Sequence, residues 1–152
     1  MLRRLGSIFW LMRHVSSIEG FGFITLGGKI RISRKNKIKV KGRAYFGPGC
    51  YLGSNLNIEG DLLVGPSVYF VGGDHKLLPA SSGMSYFDSG RAELKTTTIE
   101  KNVWIGANSV IMSGVILREG TVIAAGSVIT KDTLPYTIYG SSKQFVIKKI
   151  DN

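Results

Sequence analysis

A single cysteine and two histidines in 152 residues give this chain little with which to cross-link itself or hold a metal. One cysteine cannot close an internal disulfide, so nothing points to an oxidising compartment. Two histidines fall short of a zinc site built on three, and no metal is expected. Proline is scarce, at four against 20 glycines, which makes the chain rich in turns without being low in complexity. Long apolar runs are absent too. The longest candidate, LGSIFWLM at 5–12, is far below the ~20 residues of a membrane-spanning helix. The sequence has no GxGxxG after a strand, no GxxxxGK[ST], no GxSxG and no CxxC, and isolated carboxylates such as Asp61 and Asp88 have no evident catalytic partner. A covalent enzyme intermediate is therefore not suggested.

Acidic residues are also few: 10, against 20 lysines and arginines, for a net charge of +10. Such a balance suits an anionic partner, whether a phosphate-bearing cofactor, an acidic polymer or a membrane surface, and it also suits plain solubility. The basic residues are scattered along the chain, so nucleic acid is not an expected partner. The first residues, MLRRLGSIFWLMRHV, have too short an apolar part for a signal peptide and no small-residue cleavage site after it. At helical spacing Leu5, Ile8, Met12 and Val15 share a face, with Arg3, Arg4 and Arg13 elsewhere. Residues 1–20 read as a cap on the domain or as an amphipathic anchor on anionic lipid. The expected location is cytoplasmic, or peripheral to the inner face of the membrane.

What the sequence has in abundance is a period of six. Ile99, Ile105, Ile111, Leu117, Ile123 and Ile129 recur at that spacing, and four residues after each come Val103, Ser109, Val115, Thr121, Ser127 and Thr133. Gly106, Gly114, Gly120 and Gly126 fall between the two series. Earlier, Val40, Phe46, Leu52, Ile58, Val64 and Phe70 form a first series, and Ala44, Cys50, Leu56, Leu62 and Val68 a second, which Ile32 and Ile38 extend backwards. Six fits neither a helix nor one strand. It fits a short strand plus a corner, three of which close a triangular coil, with coils stacked about 4.8 Å apart as strands in a sheet. Residues 28–75 and 99–134 supply between four and five such coils. Cys50 is then a core residue in a small-residue slot, not a nucleophile. The expected layout is a β-helix over 21–134, flanked by 1–20 and a C-terminal cap at 135–152. The two blocks are out of phase, so the chain leaves the prism and returns, making an extruded loop at about 74–98.

His75 stands where the regular coil ends and this loop begins, after Gly72, Gly73 and Asp74. A neutral histidine is the best side-chain base near pH 7. The residues alone leave two readings open: a catalytic base, or a loop histidine bonded to a backbone carbonyl. His14, among apolar and basic residues, reads as structural.

The ordered set VWIGANSVI, GSVITKD and GSSKQFVIKKI, with GGDH before a long loop, resembles the hexapeptide-repeat acetyltransferases. The likeness is greatest to the galactoside, maltose and streptogramin O-acetyltransferases and to those that acetylate surface polysaccharides. The resemblance implies an all-β, left-handed parallel β-helix, a homotrimer with sites between neighbouring prisms, and acetyl-CoA as co-substrate without a metal. By position it implies His75 as general base on an acceptor hydroxyl. Trp104 would line the acetyl and pantetheine end, Gly106 and Ala107 would let the pantetheine arm lie close, and Ala125, Thr130 and Lys131 would continue that shelf. Lys143 would meet the CoA phosphates. The expected acceptor is a sugar or polysaccharide hydroxyl; an antibiotic, an amine on a nucleotide sugar, and a non-catalytic scaffold are the alternatives. Two departures stand out: no proline precedes Ser142 and Lys143, and no clear match to the sugar-orienting asparagine and aspartate lies near Tyr45–Asn57.

Overall fold

The computed structural model describes residues 17–33, 36–140 and 145–149. Its strands follow one another in threes. The first coil holds β1 (Ser17–Glu19), β2 (Phe23–Leu26) and β3 (Arg31–Ile32); the second β4 (Lys37–Val40), β5 (Arg43–Phe46) and β6 (Tyr51–Leu52); the third β7 (Asn55–Ile58), β8 (Leu62–Val64) and β9 (Tyr69–Val71). The fourth holds β10 (Thr96–Ile99), β11 (Val103–Ile105) and β12 (Val110–Met112), and the fifth β13 (Ile116–Leu117), β14 (Val122–Ile123) and β15 (Val128–Ile129). Then come β16 (Thr137–Gly140) and β17 (Phe145–Lys149).

Each strand pairs in parallel with its counterpart one coil away, which gives three sheets and a three-sided solenoid. The first face is β1-β4-β7-β10-β13 and the third is β3-β6-β9-β12-β15. The second adds β16 in parallel and β17 antiparallel beyond it, so this face runs to seven strands. The winding thus exceeds the four to five coils expected, because residues 17–27 and 137–140 also belong to it. Among the described residues there is no α-helix, and one 3-10 turn (Ala80–Ser82) lies in the loop.

Both six-residue series point inward. Val40, Phe46, Leu52, Ile58, Val64 and Phe70 are all buried, as are Ala44, Cys50, Leu56, Leu62 and Val68. Stacked like with like along the prism axis, each large aliphatic residue so buried contributes roughly 1.5–3 kcal/mol over an exposed one. Phe46 and Phe70 meet edge to face with centroids 6.3 Å apart. One reading of the pattern needs correction. Ile32 does not continue the series of Ile38: it pairs with Leu52, a member of the other series, and buried Ile30 precedes it. The first coil is two residues longer than the repeat of 18 that separates, for example, Arg43 and Asp61. The extra length falls around 33–36, where the Asn36 amide donates to the Leu52 carbonyl at 2.7 Å.

The corners follow local chemistry. Between the second and third faces stand Gly47-Pro48-Gly49, Gly65-Pro66-Ser67, Gly106-Ala107-Asn108 and Ala124-Ala125-Gly126. Their third residues all take positive φ: Gly49 at 78°, Ser67 at 53°, Asn108 at 58° and Gly126 at 71°. Proline followed by a positive-φ residue is the signature of a type II turn.

Candidate functional site

The loop leaves the third face after β9 and rejoins the first face at β10, so it issues from the edge between those faces. It departs between neighbouring rungs: Phe70 still pairs with Ile111 across the gap, and the stack of coils is unbroken. Its base is a short antiparallel ribbon. His75 and Arg91 face each other in a β-bridge, with the Lys76 N–H donating to the Gly90 carbonyl at 3.2 Å and the Ala92 N–H to the Asp74 carbonyl at 2.8 Å. These bonds flank the pair, which makes it the close, non-hydrogen-bonded kind whose side chains share a face. The Arg91 guanidinium donates back to the Gly73 carbonyl at 2.7 Å.

The His75 side chain is exposed, and its Nδ1 lies 3.3 Å from the hydroxyl of Ser89. Among the described residues, the side chain of Ser89 is the ring's hydrogen-bond partner. Beside it, along the same edge, is a hollow of about 450 Å³ lined by Ser33, Asn36, Tyr51, Gly53, Gly72, Gly73, Arg91, Ala92 and Leu94. Among the described residues no carboxylate lines it. Arg31 stacks over the Tyr51 ring at 5.2 Å.

The remaining sequence-predicted residues fall on two edges. Trp104, Gly106, Ala107 and Ala125 come together at and beside the corner between the second and third faces. Trp104 stands 52% exposed on the second face, in register with Leu63 and Val122 on the strands beside it. With Tyr45 and Leu63 it lines a shallow depression of about 410 Å³. Gly106 and Ala125 touch across adjacent coils, and the Gly126 N–H donates to the Ala107 carbonyl at 2.8 Å. Thr130 and Lys131, both exposed, follow β15 on the other edge, the one that carries His75. Lys143, the N-terminal segment 1–16 and His14 lie outside the described residues.

Cys50 is buried, its thiol donates to the Gly65 carbonyl at 3.3 Å, and burial pushes its pKa up. All three observations agree with a packing role. Among the described residues no three His, Cys, Asp or Glu side chains converge as a metal site would require, and no helix is long and apolar enough to cross a membrane. Ser89 is the residue that sequence reasoning missed: nothing in its local motif marks it before the loop folds back.

Geometry of this kind, a three-sided parallel solenoid of six-residue repeats with a loop extruded at one edge, defines a class. Residues 96–131 match the family model described as bacterial transferase hexapeptide (six repeats). An inferred acetyltransferase of Schizosaccharomyces pombe is 34% identical over 97 residues, which are 64% of this chain and 44% of that protein. The chain thus spans under half the length of that relative. The solved structure of a maltose O-acetyltransferase from Clostridium difficile 630 superposes with a TM-score of 0.64 at 26% identity, covering 91% of this chain and 69% of that one. A galactoside acetyltransferase in complex with coenzyme A shares the fold, with a TM-score of 0.66 at 23% identity over 97% of this chain and 80% of that one. Residues 96–131 thus carry the hexapeptide repeat, and the chain is similar in sequence and fold to acetyltransferases built on it.

Proposed function

We propose that this protein transfers the acetyl group of acetyl-CoA to a hydroxyl of a sugar or polysaccharide, with His75 as the general base. The observation that carries the reading is the exposed imidazole, held by one nitrogen at the base of the loop beside an open polar hollow. An alcohol is a weak nucleophile at neutral pH. The His75 ring takes its proton as the oxygen attacks the thioester carbonyl; a C–O bond forms, the C–S bond breaks, and the proton passes on to the departing CoA thiolate. The hollow suits an acceptor ring, with Tyr51 to pack against it and Arg91 to bond its hydroxyls.

The division of site residues between two edges supports a site assembled by more than one subunit. In this reading, a neighbouring copy brings the corner of Trp104, Gly106, Ala107 and Ala125 to the edge that carries His75, Thr130 and Lys131. A homotrimer does this three times over. The small residues at 106, 107 and 125 leave the corner low enough for a pantetheine arm to lie along the coil, and Lys131 and Lys143 neutralise CoA phosphates.

The test is thiol release from acetyl-CoA in the presence of a panel of sugars and oligosaccharides. His75→Ala should lower turnover by about 100- to 10,000-fold, the usual contribution of a placed base. It should still bind CoA by calorimetry and keep its oligomeric state. Turnover at the wild-type rate in a clean His75→Ala preparation removes the assignment, and the absence of saturable CoA binding by the wild-type protein removes the enzyme class.

A further inference from the structure

We infer that Ser89 fixes the tautomer of His75, so that Nε2 is the nitrogen that accepts the proton; this rests on the reading of His75 as the base. Ser89 lies in the bend just before the loop's base, with Gly90 at a positive φ of 72° between it and Arg91, and this turn of the chain brings its hydroxyl to the His75 ring. Its hydroxyl is 3.3 Å from Nδ1 and the residue is only 8% exposed, so water does not readily replace it.

The assignment follows from counting protons. A serine hydroxyl has one proton and two lone pairs. Two carbonyls compete for that proton, Tyr86 O at 2.9 Å and Gly90 O at 3.2 Å. Whichever receives it, the Ser89 oxygen is left with lone pairs to offer the imidazole. A neutral ring meets them only as a donor, with its proton on Nδ1. Its lone pair is then on Nε2. The opposite tautomer would set two lone pairs against each other, or would give up the 2.9 Å bond to the Tyr86 carbonyl for a 3.3 Å bond to the ring, leaving the Tyr86 and Gly90 carbonyls with only the Ser89 and Lys76 backbone N–H groups.

The bond also has a use during turnover. When Nε2 gains a proton, the imidazolium still donates from Nδ1 to Ser89. The same bond serves both charge states, and the ring does not need to turn between taking and returning the proton. Ser89 touches no substrate and its own proton does not move, so it is a positioning residue. It acts as the orienting third member of a relay, with a neutral hydroxyl where a carboxylate is common.

The chain's two histidines make the tautomer directly readable. Long-range proton–nitrogen NMR on the full chain, with the His75 signals identified by their loss in His75→Ala, should show the neutral ring protonated at Nδ1. Ser89→Ala should shift it toward Nε2–H, and Ser89→Thr, which keeps the hydroxyl, should restore it. In kinetics Ser89→Ala should lower kcat by about tenfold or more, part of the contribution of a placed base, with KM for acetyl-CoA unchanged. Ser89→Thr should recover most of that loss. A wild-type ring protonated at Nε2 overturns the inference, as does a Ser89→Ala protein with wild-type nitrogen shifts and wild-type kcat. If Ser89→Ala does not fold, the wild-type spectrum and the Ser89→Thr variant still decide. Full turnover by His75→Ala would overturn the general-base reading instead, and the NMR result would stand apart from it.

Discussion

Gly106 abuts the backbone of Ala125 in the next coil: a Cβ built on Gly106 would come 2.5 Å from the Ala125 amide nitrogen and 2.9 Å from its Cα. The obstacle is main chain, which cannot rotate away, and it lies at the corner that the proposed pantetheine arm would follow. Gly106 is thus required by the stacking of the coils whether or not a cofactor passes. Gly106→Ala should cost about 1–3 kcal/mol of stability, the usual range for overpacking, measured by denaturant unfolding. Ala125→Gly in the same background should leave that deficit in place, because it removes only a side chain. An unchanged unfolding midpoint in Gly106→Ala would refute the close approach.

Arg43 and Asp61 meet on the second face, one coil apart. The Asp61 carboxylate accepts the Arg43 backbone N–H at 2.9 Å and Nε at 3.0 Å, and pairs with the guanidinium terminus as well. These bonds, the Arg43 side chain's first among them, lower the Asp61 pKa to about 2, against an ordinary 3.8. A carboxyl whose pKa is depressed by folding stabilises the folded state above its unfolded value and loses that contribution as pH falls through the folded one. Asp61→Asn should therefore melt below wild type at neutral pH, and the gap should close between about pH 4 and pH 2. The pair is solvent-exposed, so added salt should narrow the gap at neutral pH too. A gap that stays constant down to pH 2 would show that the ion pair does not contribute.

The period of six made most of the fold legible, because the residues at Ile99, Ile105, Ile111 and their successors are constrained by burial, the strongest and most regular pressure on a sequence. Local exceptions to the period were less legible. Ile32 and Ile38 are six apart, but two further residues near Asn36 shift the register between them, and only the pairing of Ile32 with Leu52 reveals it. Corners were partly readable: Gly49 and Gly126 advertise positive φ, whereas Ser67 and Asn108 adopt it without glycine. His75 could be found from its place at the end of a regular block. Ser89 could not, because its contact is made 14 residues along a loop whose path no periodicity dictates. That the family-matched residues lie on two edges follows from counting strands around the triangle, but the residue types themselves carry no sign of it.

Thr121 and Thr133 are buried threonines whose hydroxyls meet inside the solenoid. The Thr133 oxygen accepts the Arg118 N–H at 2.9 Å and shares a bond with Thr121 at 2.8 Å. Thr133→Val keeps the shape and removes both interactions, leaving an amide unsatisfied. The expected cost is about 1–3 kcal/mol. Because the two threonines share a bond, Thr121→Val and Thr133→Val together should cost less than the sum of the single changes in a double-mutant cycle. Strict additivity would show that their hydroxyls act independently.

The two-edge arrangement makes a prediction about mixed oligomers. Within one chain, Trp104 stands on the second face while the loop with His75 leaves the edge between the third and first faces. If each site takes its imidazole from one subunit and its Trp104 corner from the next, then His75→Ala and Trp104→Ala each damage every site in a pure oligomer. Trp104→Ala should raise KM for acetyl-CoA, since it removes an apolar contact to the carrier, whereas His75→Ala should lower kcat. When the two variants are dissociated and reassembled together, or co-expressed with different tags and purified for both, some sites receive an intact imidazole beside an intact Trp104. Those sites should turn over with wild-type KM, at a rate above that of either variant alone. A mixture no more active than the sum of its components, in oligomers proven to contain both chains, would place His75 and Trp104 in the service of separate sites and would end the shared-site reading.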